Sequence, residues 1–340
     1  MAKPQVAFYW TASCGGCEMA VLELHERILD VASLVDIRFW PVAIDAKYSD
    51  VRRMADGELD VTFFNGALRN EENVEMAHLM RKKSKLLVAF GACAQMGGIP
   101  GLANFSSKRS LLDQVYHQAP STSNPSATEP VEKSALDGYE LTLPPLLERV
   151  YPLDGEVEVD YSVPGCPPTG ETVWRAVTAI LEGQLPERGA VLGASEETLC
   201  KECPLKKQEK KVGHFYRLYE KQPDGETCLL EQGIVCAGPA TRGGCEAACI
   251  KANMPCRGCY GPVAGALDQG AKLLSALASC MDSNEMSGIT ELVSQVPDIS
   301  GLLWRFSLPR SLAQGVREPA GSSAGGGSSS GALTGRKEAK

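Results

Sequence analysis

The sequence predicts an α/β fold, a parallel sheet covered by helices, followed by a loop-rich, cysteine-bearing domain. Short apolar runs alternate with helical stretches through the first half of the 340 residues. The alternation stops near residue 190. Most of the thirteen cysteines lie beyond that point, and twelve of the thirteen precede residue 260.

The elements follow in order. "QVAFYW" (5–10) reads as the first strand, and "GCEMAVLELHERILDVASL" (16–34) as one helix, with Met19, Val21, Leu22, Leu24, Ile28 and Leu29 at roughly helical spacing. Strands are expected at 36–44, 59–66 and 85–94, with "EENVEMAHLMRKKS" the helix before the last of these. A fifth strand is expected at 156–166 and a closing helix in "GETVWRAVTAILEGQ". The layout resembles a flavodoxin-like domain. Residues 117–140, rich in Pro, Ser and Thr, read as a solvated insertion. "AGALDQGAKLLSALASCM" reads as a helix, and the Gly/Ser-rich end has too little apolar surface to fold. The expected organisation is therefore a flavodoxin-like domain (1–189), a cysteine-rich domain (190–305) and a flexible tail (306–340).

Composition narrows the function. With 44% hydrophobic residues, two domains can each bury a core, so cysteine staples are not needed for stability. The net charge of −8 argues against nucleic acid as the main partner. No apolar run reaches the roughly 18 residues of a membrane span, and "MAKPQVAFYW" carries no export signal, so the expected location is cytoplasmic. Thiols stay reduced there, and recurring Cys-x-x-Cys pairs then read as metal ligands before disulfides.

Cys14, Cys17, Cys93 and Cys166 each follow the carboxyl end of an expected strand, the edge at which open α/β sheets bind ligands. Four such thiolates suit either a tetrahedral zinc or a 4Fe-4S cubane. Gly15, Gly16, Gly91, Gly97, Gly98, Gly101 and Gly165 favour the cluster, because bare backbone can approach and donate to anionic sulfur. "GACAQMGGIPG" lacks the Gly-Lys-Ser/Thr of a phosphate loop. Eight further cysteines divide most simply into Cys200, Cys203, Cys228 and Cys236, and Cys245, Cys249, Cys256 and Cys259. Spacing alone permits two zincs or two clusters. Three closed structural zincs would leave the crevice without a task, whereas a chain of redox centres has an evident one. Cys280, on an apolar helix face, reads as core.

Through "CGGCE", "FGACA", "PGCPP", "CLLEQGIVCAGPATRGGC" and "PCRGCYGP", residues 5 to about 280 resemble the small subunit of nickel–iron hydrogenases. The resemblance is closest to the cytoplasmic methyl-viologen-reducing, deazaflavin-non-reducing type. It implies three 4Fe-4S clusters: proximal on Cys14, Cys17, Cys93 and Cys166, medial on Cys245, Cys249, Cys256 and Cys259, and distal on Cys200, Cys203, Cys228 and Cys236. It also implies a nickel–iron large subunit as partner. A further iron–sulfur or flavin subunit, such as heterodisulfide reductase, would receive the electrons. Cys200 stands where periplasmic relatives carry histidine, and Cys249 where they carry proline. The alternatives are the iron–sulfur subunit of another oxidoreductase, either deazaflavin-reducing or similar to NADH dehydrogenase, and a zinc-stabilised module. Glu18 reads as an ordinary first-turn acid at a helix N-terminus, with proton relay as the alternative. Lys201, Lys206, Lys207, Lys210 and Lys211 read equally as a solvated face or a docking patch for an acidic redox partner.

Overall fold

The computed structural model describes residues 3–313. Its main sheet has five parallel strands, β1 (Gln5–Trp10), β2 (Asp36–Phe39), β3 (Leu59–Asn65), β4 (Ser84–Phe90) and β5 (Tyr161–Val163). They are ordered β2-β1-β3-β4-β5, the flavodoxin-like arrangement. Both faces are covered. Successive side chains point to opposite faces of a strand, so Val6, Phe8, Val61, Phe63, Val88 and Phe90 form one core and Ala7, Tyr9, Phe64, Leu87 and Ala89 another. The first core is closed by α1 (Gly16–Leu22) and by a later helix, Gly170–Leu181. The second is closed by α3 (Tyr48–Arg53) and α4 (Glu71–Lys83). Near-continuous apolar strands follow from this double burial.

Beyond residue 190 a separate core gathers Leu199, Phe215, Leu229, Ile234, Ile250, Leu273, Leu277 and Leu303 from short turns and from the helix Gln269–Cys280. At the junction of the last two strands Asp160 is buried. It accepts from the Leu87 amide at 2.8 Å, pairs with Arg81 at 2.6 Å and reaches Arg188 at 3.0 Å. A buried carboxylate is tolerable only with such partners. Among the described residues, no helix is long and apolar enough to cross a membrane.

Several expected elements are cut short. The helix expected over 16–34 is two, α1 and α2 (Arg27–Leu34), because His25 adopts a left-handed conformation (φ 52°) that keeps Leu24 in the core. The strand expected over 36–44 stops at Phe39, ahead of Pro41, which has no amide to donate. The 85–94 strand ends at Phe90. Gly91 (φ 86°) turns the chain into a short helix, α5 (Ala92–Met96), that carries Cys93. The fifth strand covers only Tyr161–Val163, since its neighbour β4 offers partners from Val88 onward.

The insertion is not featureless. Lys133–Leu136 and Tyr139–Thr142 form an antiparallel hairpin around Asp137 and Gly138, both at positive φ, as a two-residue Asp-Gly hairpin turn requires. The segment 306–311, expected as part of a flexible tail, is packed. Phe306 and Leu308 are buried, and Arg310 pairs with Asp154 at 2.6 Å and donates to the Gln95 carbonyl. Residues 314–340 of that tail lie outside the described residues.

Candidate functional site

The carboxyl ends of β1, β4 and β5 share one edge of the sheet, and the first four cysteines meet there. Cys17 opens α1, Cys93 lies in α5, and Cys14 and Cys166 sit on the adjoining turns. Burial pushes the Cys17 thiol far up, and the nearness of Cys93, Cys166, Cys14 and Glu18 adds to it. Burial likewise raises Cys93 to about 12, with Cys166 and Cys14 contributing. The two buried thiols thus sense their neighbours as nearby charges.

Two glycines make the room. A Cβ on Gly91 would come within 2.3 Å of the Cys17 sulfur, and one on Gly98 within 2.5 Å of the Cys93 sulfur. Gly91 is also fixed by its amide, which donates to Val163, and by Ala92, whose amide donates to Gly165, both at 2.7 Å. Cys17 and Cys93 are buried, whereas Cys14 and Cys166 are exposed, so this group is open on one side.

The other eight fall into two groups by the same criterion. Burial raises Cys200 to about 12, aided by Cys236, Cys228 and Cys203, while Lys207 acts in the opposite direction. Gly238 stands against this group, its Cβ position 3.3 Å from the Cys200 sulfur and 3.7 Å from that of Cys236. Burial raises Cys259 to about 12, with Cys166, Cys245 and Cys249 adding to it; Cys256 senses Cys236 first and Cys259 next, so it stands at the boundary of the two groups.

The three groups adjoin one another. Cys166 of the first group is a close neighbour of Cys259. The Cys256 amide donates to the Cys236 sulfur at 3.3 Å, joining the Cys245–Cys259 group to the third. The Cys245–Cys259 group is therefore the middle one.

All thirteen cysteines are free thiols. Cys280 ends its helix, half-buried, and its thiol donates to the Leu277 carbonyl at 3.1 Å, as a packed side chain would. Among the described residues, no three His, Cys, Asp or Glu side chains converge to hold a single metal ion. Four soft sulfurs in a looser group, cradled by side-chain-free backbone, fit a multi-iron cubane.

Glu18 lies in the first turn of α1, as expected, but its carboxylate is buried. It is 7% exposed, and its two carboxylate oxygens accept from Trp40 Nε1 and Asn65 Nδ2. Asn65 in turn accepts from Ser13 Oγ at 2.9 Å, so the network clasps the turn that bears Cys14 and Cys17. Burial raises the Glu18 carboxyl and the two N–H donors oppose it. Glu18→Ala strands two buried donors at about 1–3 kcal/mol each. The expected loss is about 2–4 kcal/mol, read as a fall of several degrees in thermal unfolding, and Glu18→Gln loses less. An unchanged midpoint for Glu18→Ala would contradict this account. The five lysines of the 201–211 segment are all exposed.

A family model described as "NADH ubiquinone oxidoreductase, 20 Kd subunit" matches residues 14–180. The chain is 39% identical over 310 residues to the iron–sulfur subunit of the F420-non-reducing hydrogenase of Archaeoglobus profundus, covering 90% of this chain and 96% of the relative. It is 36% identical over 315 residues to the corresponding F420-non-reducing hydrogenase subunit of Methanothermobacter thermautotrophicus, covering 91% and 96%. In fold it is similar to the [NiFeSe] hydrogenase of Desulfovibrio vulgaris Hildenborough, with a TM-score of 0.50 at 16% identity over 78% of this chain and 95% of that one.

Proposed function

The chain belongs to the family of F420-non-reducing hydrogenase iron–sulfur subunits, and from that premise we propose that it carries electrons through three 4Fe-4S clusters held by its twelve grouped cysteines. As a member it is the electron-transferring small subunit of a nickel–iron type hydrogenase and works beside a large subunit. The proximal site is assigned to Cys14, Cys17, Cys93 and Cys166, the medial to Cys245, Cys249, Cys256 and Cys259, and the distal to Cys200, Cys203, Cys228 and Cys236. Bound there, each cluster would take up and release one electron at a time.

The observation that carries this reading is the adjacency of the groups, with Cys166 neighbouring Cys259 and the Cys256 amide donating to the Cys236 sulfur. A donor of that kind holds neighbouring sites at fixed separation and stabilises anionic sulfur. Burial of Cys17, Cys93, Cys236 and Cys256 excludes water from the inner sulfurs. The open side of the first group, with exposed Cys14 and Cys166 near Trp10 and Met19, suits closure by the large subunit.

The reading extends to a two-domain division at about residue 190, a cytoplasmic location, and an iron–sulfur or flavin partner such as a heterodisulfide reductase complex at the outer end. A second reading, a redox subunit similar to that of NADH dehydrogenase, draws on the family match over 14–180, but that match ends before Cys200.

Iron and acid-labile sulfide assays on anaerobically purified hydrogenase complex test the proposal. About twelve irons per copy of this chain are expected from three cubanes. Zinc in their place would end it.

A further inference from the structure

A cleft of about 410 Å³ opens in the second core, away from the sheet domain: all of its lining falls between residues 215 and 305. Its walls include Phe215, Leu218, Ile234 and Leu302, and three arginines, Arg217, Arg257 and Arg305, line it as well. None of the three makes an ion pair or a side-chain hydrogen bond among the described residues. Arg257 and Arg305 lie close enough to repel each other; the one acid lining the cleft, Asp298, caps the helix Ile299–Leu303 through the Gly301 amide and offsets part of the Arg305 charge without forming an ion pair with it.

On a chain of net charge −8, such a concentration of unpaired cations on an apolar concavity is an unsatisfied arrangement. A smaller recess beside it brings Arg257 and Arg305 together with Cys256, and Val235, adjacent to Cys236, lines both. The cleft therefore reaches the wall of the middle and outer cysteine groups.

We propose that this cleft docks the acidic face of the protein that accepts electrons from this subunit, with that protein's carboxylates seated between Arg217, Arg257 and Arg305. The inference rests on the electron-carrying reading above. Unpaired arginines and the exposed Tyr219 on apolar walls are the composition of interface anchors. Complementary charge would steer the encounter and fix its register. Hydrogen oxidation at the large subunit releases two protons there and two electrons. The electrons leave singly at this cleft, reducing two one-electron acceptors. The lysines of the 201–211 segment do not line the cleft, so this site is distinct from the patch suggested by the sequence.

The test uses the assembled hydrogenase complex with hydrogen as donor and two acceptors, methyl viologen and an acidic plant-type [2Fe–2S] ferredoxin. The dye is a small cation that needs no basic dock. In the double variant Arg217→Glu/Arg305→Glu, with Arg257 left intact between two proposed ligands, dye reduction is expected to stay within about twofold of wild type. The KM for ferredoxin should rise about tenfold or more, and its dependence on salt should flatten. Arg217→Lys/Arg305→Lys should recover most of the loss.

An unchanged ferredoxin KM and salt dependence in the double variant overturns the proposal. So does a wild-type complex that reduces the dye but not ferredoxin. Stabilisation of the wild type by millimolar inorganic phosphate, with ferredoxin kinetics equal in both proteins, would make the cleft a small-anion pocket and overturn it too. Should the double variant lose dye reduction by misfolding, wild-type ferredoxin reduction that does not slow with salt is the overturning result. A wild-type complex that reduces neither acceptor sinks the electron-carrying reading itself.

Discussion

Cys93→Ser is expected to lower hydrogen-dependent dye reduction by about 100-fold or more in the assembled complex. Loss of an outer-shell partner alone typically costs 10–100-fold at a metal site, and here a proposed ligand itself is removed. The substitution keeps the size and packing of α5 almost intact, so the effect isolates chemistry from fold. A serine hydroxyl is a hard, weakly acidic oxygen where a soft thiolate is wanted. Cys93 is buried beside Cys17, on the inner side of the group, away from its exposed members Cys14 and Cys166. Iron content should fall by up to four per chain, the content of one cubane. Cys280→Ser is the matched control and is expected to keep full iron and near wild-type rates, since its thiol already bonds to its own helix. Full activity and iron in Cys93→Ser would remove Cys93 from the proximal assignment.

Gly91→Ala should be nearly as damaging, although it adds a single carbon. Gly91 has φ 86° and ψ 165°, a region that only glycine occupies readily. An added Cβ would also fall 2.3 Å from the Cys17 sulfur. Relief by backbone movement is blocked, because the amides of Gly91 and Ala92 are bound to Val163 and Gly165. Strain of about 1–3 kcal/mol and overpacking of about 1–3 kcal/mol together predict a loss of about 2–5 kcal/mol. Thermal unfolding would register the loss, and iron analysis would show the first site emptied before the other two. Gly183→Ala is a useful comparison: φ is 68° there too, but no atom lies within 4 Å of the added carbon. If both variants behave alike, the clash with the cysteine is not the cause.

The sheet was legible in the chain because its physics is local. Val6 and Phe8 alternate with Ala7 and Tyr9, and parallel strands wrapped by helices must bury both sets. Once the strands are placed, their carboxyl ends share an edge, which is why Cys14, Cys93 and Cys166 could be expected near one another despite their separation in sequence.

Features that depend on a few distant partners were not legible. Glu18 looked like a helix-start acid because its environment is set by Trp40 and Asn65, one from the turn after β2 and the other from the end of β3. The arginine cleft is assembled from three positions up to 88 residues apart, with no shared motif, and forms only when the loops have packed. The break at His25 carries no proline or glycine to announce it. The hairpin at Asp137–Gly138 did carry its Asp-Gly signal, but the Pro/Ser/Thr-rich residues around it masked the signal.

The packed segment from Phe306 to Ser311 has a consequence for how the protein is made. The Phe306 carbonyl accepts from the Gly98 amide, and Pro309 fills the space over Gly97 and Gly101, the turn that follows Cys93. Ribosomal synthesis delivers the N-terminal half first, so the sheet can form while this buttress is still inside the translation machinery. The oldest part of the nascent chain is therefore the last to be sealed. The turn after Cys93 is left unbuttressed between emergence of Cys166 and arrival of Pro309, and that interval is when the proposed first cluster could be loaded.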